Sequence, residues 1–173
     1  MLELIIAFTL SLSTNQRVDY TRLRNLLQNQ QWEEANHLTS ALILKLANQE
    51  QQGYLVSKDT ENLACRDIRT INQLWTQYSN GRFGLSVQAR LWKSIGGQTS
   101  YDASTLMEGY QLSRRFESLV GWNNSQSSSA IQSEAVPNGY WPFRPTKDGG
   151  IQNAWGGGWI SSISKRLESC KIK

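Results

Sequence analysis

A single histidine, His37, limits the catalytic chemistry that this chain can carry out. One imidazole cannot form a His pair, an HExxH motif or a Cys-His cluster, so metal-dependent hydrolysis lacks its ligand set. His37 follows Glu33 and Glu34 in a predicted helix, and the simplest interpretation is an exposed surface position. The alternative is an axial ligand to a haem iron, which a neutral imidazole suits. Without a catalytic constellation, the sequence predicts a protein that is not an enzyme.

The glycine and cysteine positions match neither a nucleotide-binding nor a metal-binding pattern. The triple glycine at residues 156–158 is followed by Trp159 instead of Lys-Ser/Thr, so a Walker loop and a dinucleotide fingerprint are both absent from the sequence. Cys65 and Cys170 lie more than a hundred residues apart, which is not the spacing of a zinc site or a disulfide framework. We therefore expect two buried free thiols.

The region from residue 121 to residue 158 combines large aromatic side chains with glycine, asparagine, serine and all three prolines. A long loop inside a compact domain usually has a function or is disordered. Burying one large apolar side chain is worth roughly 1.5–3 kcal/mol, so these rings must face either the core or a ligand. Two interpretations stay open: a satellite core beneath the loop, or a concave apolar cleft for a flat hydrophobic ligand. The rings are Trp122, Tyr140, Trp141, Phe143 and Trp155.

Two basic residues of the same region, Arg144 and Lys147, could pair with carboxylates of such a ligand. An exposed ion pair of this kind contributes about 1 kcal/mol or less. A solvated position on the surface is equally consistent with both side chains.

Apolar side chains repeat at helical spacing through most of the chain. Asp19 is placed to cap the first helix, and the Ser86 hydroxyl is placed to cap a later one. The predicted helices cover residues 19–29, 32–49, 63–79, 86–96, 103–120 and 159–170. We predict an all-α fold, a compact helical cup of about six to seven helices with a long aromatic and glycine-rich loop before the last helix.

A chain of 173 residues fits one domain, here over residues 19–173, after an N-terminal extension of residues 1–18. The net charge of +4 and the pI near 9.2 favour anionic partners, but the basic residues are scattered, so we do not expect nucleic acid. The apolar stretch 1–13 carries Glu3 where a secretory signal would carry a basic residue, and it is too short to span a bilayer. We expect a cytoplasmic monomer, with peripheral membrane contact as an open alternative.

Four stretches of the chain resemble the genomes-uncoupled-four family, regulators of magnesium chelatase. They are residues 23–39, residues 64–78, the motif SNGRFGLSVQ at residues 79–88, and Val-Gly-Trp at residues 120–122. The GRFGLSVQ motif is specific, and the resemblance is close over residues 19–122 and looser in the C-terminal loop. It implies an all-helical cup that binds a protoporphyrin-type tetrapyrrole on an apolar palm and assists a chelatase without catalysing its reaction.

The resemblance also implies which residues form the site. Phe83, Leu85 and Val87 stand in the family's FGFSVQ-like segment beside the cleft, and the loop after Trp122 stands where a mobile ligand-covering loop would be. With the aromatic and basic residues above, the candidate ligand-binding residues are Arg82, Phe83, Leu85, Val87, Trp122, Tyr140, Trp141, Phe143, Arg144, Lys147 and Trp155.

Departures from the family pattern indicate a divergent member. Leu85 replaces a usual Phe, which implies a wider palm; Asn36 and Asn72 replace typical acidic residues, and Tyr140-Trp141 replaces His-Leu. The implied ligand is protoporphyrin IX, Mg-protoporphyrin, haem or an open-chain bilin, with no metal site of the protein's own, and the implied partner is a magnesium chelatase subunit. The alternative function is a helical interaction or sensor module that uses the same aromatic loop to bind a protein.

Overall fold

A computed structural model describes residues 18–122, 136–147 and 158–173 of the chain. Within these ranges there are seven α-helices and no strand, apart from an isolated antiparallel bridge between Tyr54 and Thr146. The all-α prediction is confirmed. None of the helices in these ranges combines the length and apolar character that crossing a membrane requires. The helices are α1 (Thr21–Gln28), α2 (Trp32–Leu46), α3 (Ser57–Asn62), α4 (Cys65–Tyr78), α5 (Leu85–Ser94), α6 (Leu106–Leu119) and α7 (Gly158–Ser169).

The first helix, predicted over residues 19–29, begins at Thr21, and Tyr20 instead of Asp19 occupies its N-cap position. Asp19 Oδ1 accepts a hydrogen bond from the backbone N–H of Thr21 at 2.8 Å, which satisfies one of the donors that a helix start leaves unpaired. Leu23 and Leu27, one helical turn apart, are fully buried, and α1 packs against α2 and α4. This buried stripe holds the first helix on the domain.

The fourth helix lies at the centre of the core. Ile68, Ile71 and Trp75 occupy one face at i, i+3 and i+7 spacing and are fully buried, as the strong apolar pattern predicts. The Trp75 indole N–H donates to Thr39 Oγ1 of α2 at 2.9 Å, so its polar atom is satisfied inside the core. Because α4 also packs against α1, α5 and α7, it positions the helices that surround the site.

The short helix α3 is absent from the sequence prediction. Its residues, SKDTEN, contain no large apolar side chain, so no helical period exists to detect. Asp59 Oδ2 accepts a hydrogen bond from the Val56 N–H at 2.9 Å at the start of this helix, and α3 packs against α7. The helix is therefore stabilised by its packing against α7 and by this local hydrogen bond, neither of which produces a periodic pattern in the sequence.

Cys65 and Cys170 form a disulfide, with their Cα atoms 5.3 Å apart. The prediction of two free thiols is wrong, because separation along the chain does not report distance in space. Cys65 begins α4, Cys170 directly follows α7, and these two helices pack together. Arg69 Nη2 adds a hydrogen bond to the Cys170 carbonyl oxygen at 2.6 Å. The end of α7 is therefore attached to α4 twice.

The start of α5 is capped from another helix, and the prediction of Ser86 as the cap is wrong. Asn72 of α4 supplies both bonds: its Oδ1 accepts from the Ser86 N–H at 2.8 Å, and its Nδ2 donates to Ser86 Oγ at 3.2 Å. Ser86 lies inside the first turn of α5. A cap that comes from a neighbouring helix leaves no local pattern in the sequence.

Candidate ligand-binding site

Gln88 holds the aromatic part of the chain against α5. Residues 136–147, termed here the clamped segment, lie beside residues 82–88 of the GRFGLSVQ motif. The Gln88 side chain is fully buried, and its Nε2 donates hydrogen bonds to the carbonyl oxygens of Gly139 and Pro142 at 2.9 and 2.6 Å. One amide group thus fixes two points of a stretch that has no regular secondary structure of its own.

The turn before α5 fastens the same segment at further points. The Arg82 carbonyl oxygen accepts a hydrogen bond from the Gly139 N–H at 2.8 Å, and Arg82 Nη2 donates to the Val136 carbonyl oxygen at 2.7 Å. The Gly84 N–H donates to the Trp141 carbonyl oxygen at 3.0 Å. All three bonds are made to backbone atoms of the clamped segment, so they fix its backbone conformation independently of its side chains.

Two side chains outside the motif complete this attachment. Asn36 Oδ1 of α2 accepts a hydrogen bond from the Phe143 N–H at 2.8 Å. Trp122 Nε1 donates to the Tyr140 carbonyl oxygen, also at 2.8 Å. Sequence reasoning missed Asn36 and Gln88 as positioning residues, although both stand in stretches that carry the family resemblance.

Five aromatic side chains, termed here the ring cluster, pack on one another. Trp141 and Phe143 stack with centroids 4.4 Å apart, and Tyr140 meets both rings edge-on at 4.9 and 5.2 Å. Trp122 meets Phe143 edge-on at 5.7 Å and Phe116 of α6 at 5.6 Å. Offset and edge-to-face contacts are the arrangements that aromatic quadrupoles favour. The cluster joins the clamped segment to α6.

The ring cluster is closed to solvent. Four of its side chains are only 6–8% exposed: Trp122, Tyr140, Trp141 and Phe143. Of the two interpretations left open by the sequence, these rings therefore fit the satellite core and not the open apolar cleft. The physical reason is that large rings gain more from contact with one another than from contact with water. Burial first, and then the negative charge of Glu33, raise the pKa of the Tyr140 hydroxyl, which stays protonated at neutral pH.

The motif residues Phe83, Leu85 and Val87 are also buried. Phe83 meets Trp32 of α2 edge-on at 5.2 Å, and the Arg82 guanidinium lies 5.0 Å from the Phe83 ring centroid. Leu85 is a fully buried core residue and does not widen an exposed palm, which corrects the expectation drawn from its replacing a Phe. These three side chains hold the turn in place from inside.

Arg144 is buried in an ion pair. Its Nη2 donates to Glu117 Oε1 at 2.7 Å, and its guanidinium lies 5.6 Å from the Trp122 ring centroid. Arg114 donates to the other oxygen of Glu117 at 2.9 Å, so two cations share one carboxylate. Sequence reasoning missed Glu117, whose signal is its position on the inward face of α6.

A cavity of about 20 Å³ lies beside this ion pair. Its lining includes Trp122, Arg144 and Trp159, and two of these residues carry a buried donor, Arg144 Nε and Trp159 Nε1, that has no hydrogen-bond partner in the structure. About 10–15 Å³ is enough for one water molecule. Because buried donors nearly always have a partner, this cavity fits one oxygen atom of a water or of a ligand. Sequence reasoning did not single out Trp159 as a site residue.

The other predicted residues lie apart from this cavity or outside the description. The Lys147 side chain is exposed, and its backbone N–H donates to the Gly53 carbonyl oxygen at 2.8 Å. Trp155 lies outside the described residues. His37 is exposed on α2, as the simplest interpretation predicts. In the described part of the chain, no group of three or more His, Cys, Asp or Glu side chains could hold a metal ion.

The class of protein that these features define is an all-α domain in which a glycine-containing turn and the helix after it clamp an aromatic segment. The chain belongs to the GUN4-like family, whose sequence profile matches residues 13–147. The structure of GUN4 from Chlamydomonas reinhardtii is similar, with a TM-score of 0.64 and 26% sequence identity, over 91% of this chain and 93% of that one.

The sequences of two curated relatives show the same family relationship. The chain is 38% identical over 87 residues to a Ycf53-like protein from Synechocystis, covering 49% of this chain and 37% of that protein. It is 31% identical over 75 residues to the chloroplastic tetrapyrrole-binding protein of Arabidopsis thaliana, covering 42% of this chain and 28% of that protein. The chain therefore spans less than half the length of these relatives.

Proposed function

We propose that this chain binds a tetrapyrrole without catalysing a reaction on it, and that it regulates tetrapyrrole biosynthesis or magnesium chelatase. Membership of the GUN4-like family supports the proposal, as does the similarity to a protein named for tetrapyrrole binding. The structural observation that carries it is the pair of unpartnered donors, Arg144 Nε and Trp159 Nε1, beside the ring cluster.

The two donors suit one carboxylate oxygen of a porphyrin, a haem or a bilin. The cavity of about 20 Å³ admits one oxygen atom, and the cationic Arg144 guanidinium is part of its lining. A flat macrocycle is too large for this space, so it would lie outside, against the half-buried indole of Trp159. Hydrogen bonds to a charged acceptor contribute about 1.5–3 kcal/mol each.

The candidate residues then divide by role. Trp122 and Arg144 line the proposed carboxylate position, and we expect substitutions there to change affinity directly. Lys147 and Trp155 stay predicted ligand contacts. The remaining candidates are buried or bonded to the clamped segment, and we expect them to act by positioning: Arg82, Phe83, Leu85, Val87, Tyr140, Trp141 and Phe143.

Absorbance titrations with protoporphyrin IX, Mg-protoporphyrin IX, haem and biliverdin test the proposal. Trp159→Phe keeps an aromatic ring and removes the indole donor, and Arg144→Lys keeps a cation beside Glu117 and removes Nε. Each is expected to raise the Kd about tenfold, which corresponds to about 1.4 kcal/mol. Trp32→Phe is the matched control, because it removes another buried, unpartnered indole N–H that does not line the cavity.

The outcomes separate ligand, site and regulation. Absence of saturable binding for all four ligands would reject the proposed function. Equal affinities of the Trp159→Phe, Arg144→Lys and Trp32→Phe variants would support tetrapyrrole binding but reject the proposed position of the site. A reconstituted magnesium chelatase whose rate does not respond to added protein would reject the regulatory part.

A protein-binding function has a separate observation in its favour, on α6. Leu106, Met107 and Tyr110, on the first turns of α6, are 46–67% exposed, and neighbouring large apolar side chains on a surface often mark an interaction site. Because the rings of the clamped segment are buried, α6 is the better candidate surface for a partner than the aromatic loop. Leu106→Glu with Met107→Glu should abolish capture of a stoichiometric partner and leave tetrapyrrole affinity unchanged; undiminished capture would reject this surface.

A further inference from the structure

A second cavity, of about 350 Å³, lies between α5 and the end of α7. Its walls are α5, the turn at residues 97–99, the second half of α7, and residues 172 and 173 at the end of the chain. The volume falls within the range of small-molecule sites. None of its lining residues belongs to the clamped segment or to the cavity beside Arg144, so it is a separate place on the molecule.

The floor of this cavity is apolar and firmly held. Leu167 of α7 and Trp92 of α5 are buried there, and Ile172 is half-buried beside them. The Trp92 indole N–H donates to the Gln98 carbonyl oxygen at 2.9 Å. A Cβ at Gly97 would overlap the Trp92 ring, so the glycine lets the backbone lie directly on the indole. The buried Trp92 and Leu167 support the floor from beneath, and the partly exposed Ala89 and Ile172 supply its accessible apolar surface.

The rim of the cavity is mainly cationic. Arg90, Lys93 and Lys173 line it together with one acidic side chain, Glu168, which gives the lining side chains a net charge of about +2 at neutral pH. None of the ion pairs among the described residues includes any of these four groups. Unpaired cations around an apolar floor favour a ligand that carries an anionic group.

A buried hydroxyl group is a second, independent indication that this cavity binds a ligand. Ser164 lines the cavity from α7, is 5% exposed, and its Oγ has no hydrogen-bond partner in the structure. Buried side-chain polar atoms are satisfied in the large majority of cases, so a partner is expected from within the cavity. The disulfide and the Arg69 bond to Cys170 fix the wall that Ile172 forms, so the cavity does not depend on a loose chain end.

We propose that this cavity is a second ligand site, which binds a small organic anion: a carboxylate or phosphate group on an apolar body. The apolar body lies on Ala89 and Ile172, above the buried Leu167 and Trp92. The anionic group faces Lys93 and Lys173, and Ser164 Oγ donates a hydrogen bond to it. The site does not depend on tetrapyrrole binding, because no residue lines both cavities.

Two-dimensional NMR of the ¹⁵N-labelled chain tests this site with three probes: 3-phenylpropionate, phenyl phosphate and the uncharged 3-phenylpropanamide. Saturable shifts are expected at the Trp92 indole N–H and at the amides of residues 97–99 for one or both anions. The anion with the lower Kd identifies the preferred group. The amide should bind at least tenfold more weakly, because it retains the apolar body and lacks the charge.

Variants separate specific binding from general attraction to a basic protein. Lys93→Gln with Lys173→Gln should raise the Kd of the preferred anion at least tenfold. Lys45→Gln with Lys171→Gln removes the same charge from positions that do not line the cavity, and should leave the Kd within twofold. Ser164→Ala should raise the Kd about threefold without lowering the Tm, since it breaks no hydrogen bond of the protein.

Three results would overturn the proposal. They are an absence of saturable shifts for both anions, equal binding of the uncharged amide, and equal losses of affinity in the two double-lysine variants. A tetrapyrrole titration on the same sample keeps the two sites distinct, because failure of one leaves the other measurable.

Discussion

Replacing Gln88 by methionine is expected to lower the free energy of unfolding by about 2 kcal/mol. Methionine keeps the length of the side chain but loses Nε2, which donates to the Gly139 and Pro142 carbonyl oxygens. Each of the two carbonyl groups left unpaired lowers the stability by about 1–3 kcal/mol. Methionine also removes the buried, unpartnered Gln88 Oε1, which raises the stability by a similar amount and offsets one of these two losses. In a domain of this size the net change lowers the Tm by roughly 4–8 °C.

Urea unfolding followed by circular dichroism measures this loss, and hydrogen exchange locates it. The Gly139 N–H should exchange faster in Gln88→Met, because the clamped segment loses two of its attachments. Gln73→Met is the matched control: Gln73 is exposed on α4, and the change should stay within about 0.5 kcal/mol. Equal stability of the two variants, with unchanged exchange at Gly139, would refute the argument that Gln88 holds the segment.

Three further changes test other parts of the structure. Gly139→Ala should cost about 1 kcal/mol more than Gly96→Ala in urea unfolding, because both glycines have positive φ but a Cβ at Gly139 would lie 2.7 Å from Leu91 Cδ1 and 3.1 Å from Cγ1 of the buried Val120; equal losses would contradict the close approach. Serine at both cysteines should cost about 2–5 kcal/mol, since the disulfide joins residues 105 positions apart, and two free thiols found by mass spectrometry in unreduced protein would contradict the bond. Hydrogen bonds from the two residues before α6 lower the pKa of Asp102 from 3.8 to about 2. The folded pKa lies below the ordinary one, so this stabilisation is complete above about pH 4 and is lost as the pH falls toward 2. The Tm difference between the wild type and Asp102→Ala should narrow over that window, and a constant difference would argue against a stabilising role of these hydrogen bonds.

The helical core could be predicted because its signal is local. In α4, the spacing of Ile68, Ile71 and Trp75 marks one face, and that face is buried as predicted. The missed helix α3 has no such face, since its contact with α7 is tertiary. The disulfide was missed for the same reason: the chain pattern around Cys65 and Cys170 does not report how α4 and α7 pack.

The aromatic character of the candidate site could be predicted, but Glu117 and Trp159, which line its cavity, could not. The aromatic region was recognised from residue types, whereas the bonds that arrange it join distant positions: Asn36 and Phe143 are 107 residues apart. Asn36 and Asn72 replace acidic residues of the family pattern, and each uses its amide oxygen to accept a backbone N–H. An asparagine keeps the acceptor and removes the charge, so these departures are compatible with a buried position.

The bond between Cys65 and Cys170 also makes a covalent ring of the chain from α4 to α7, with α1, α2 and α3 outside it. A force applied to the two ends can straighten the 64 residues before the ring and the three after it, a length of roughly 230 Å at about 3.4 Å per residue. The reduced chain could be drawn out to roughly 590 Å. Pulling on the oxidised protein would therefore unfold the first three helices. The aromatic segment would stay inside a disulfide-closed loop that bears no tension until a reductant cleaves the disulfide.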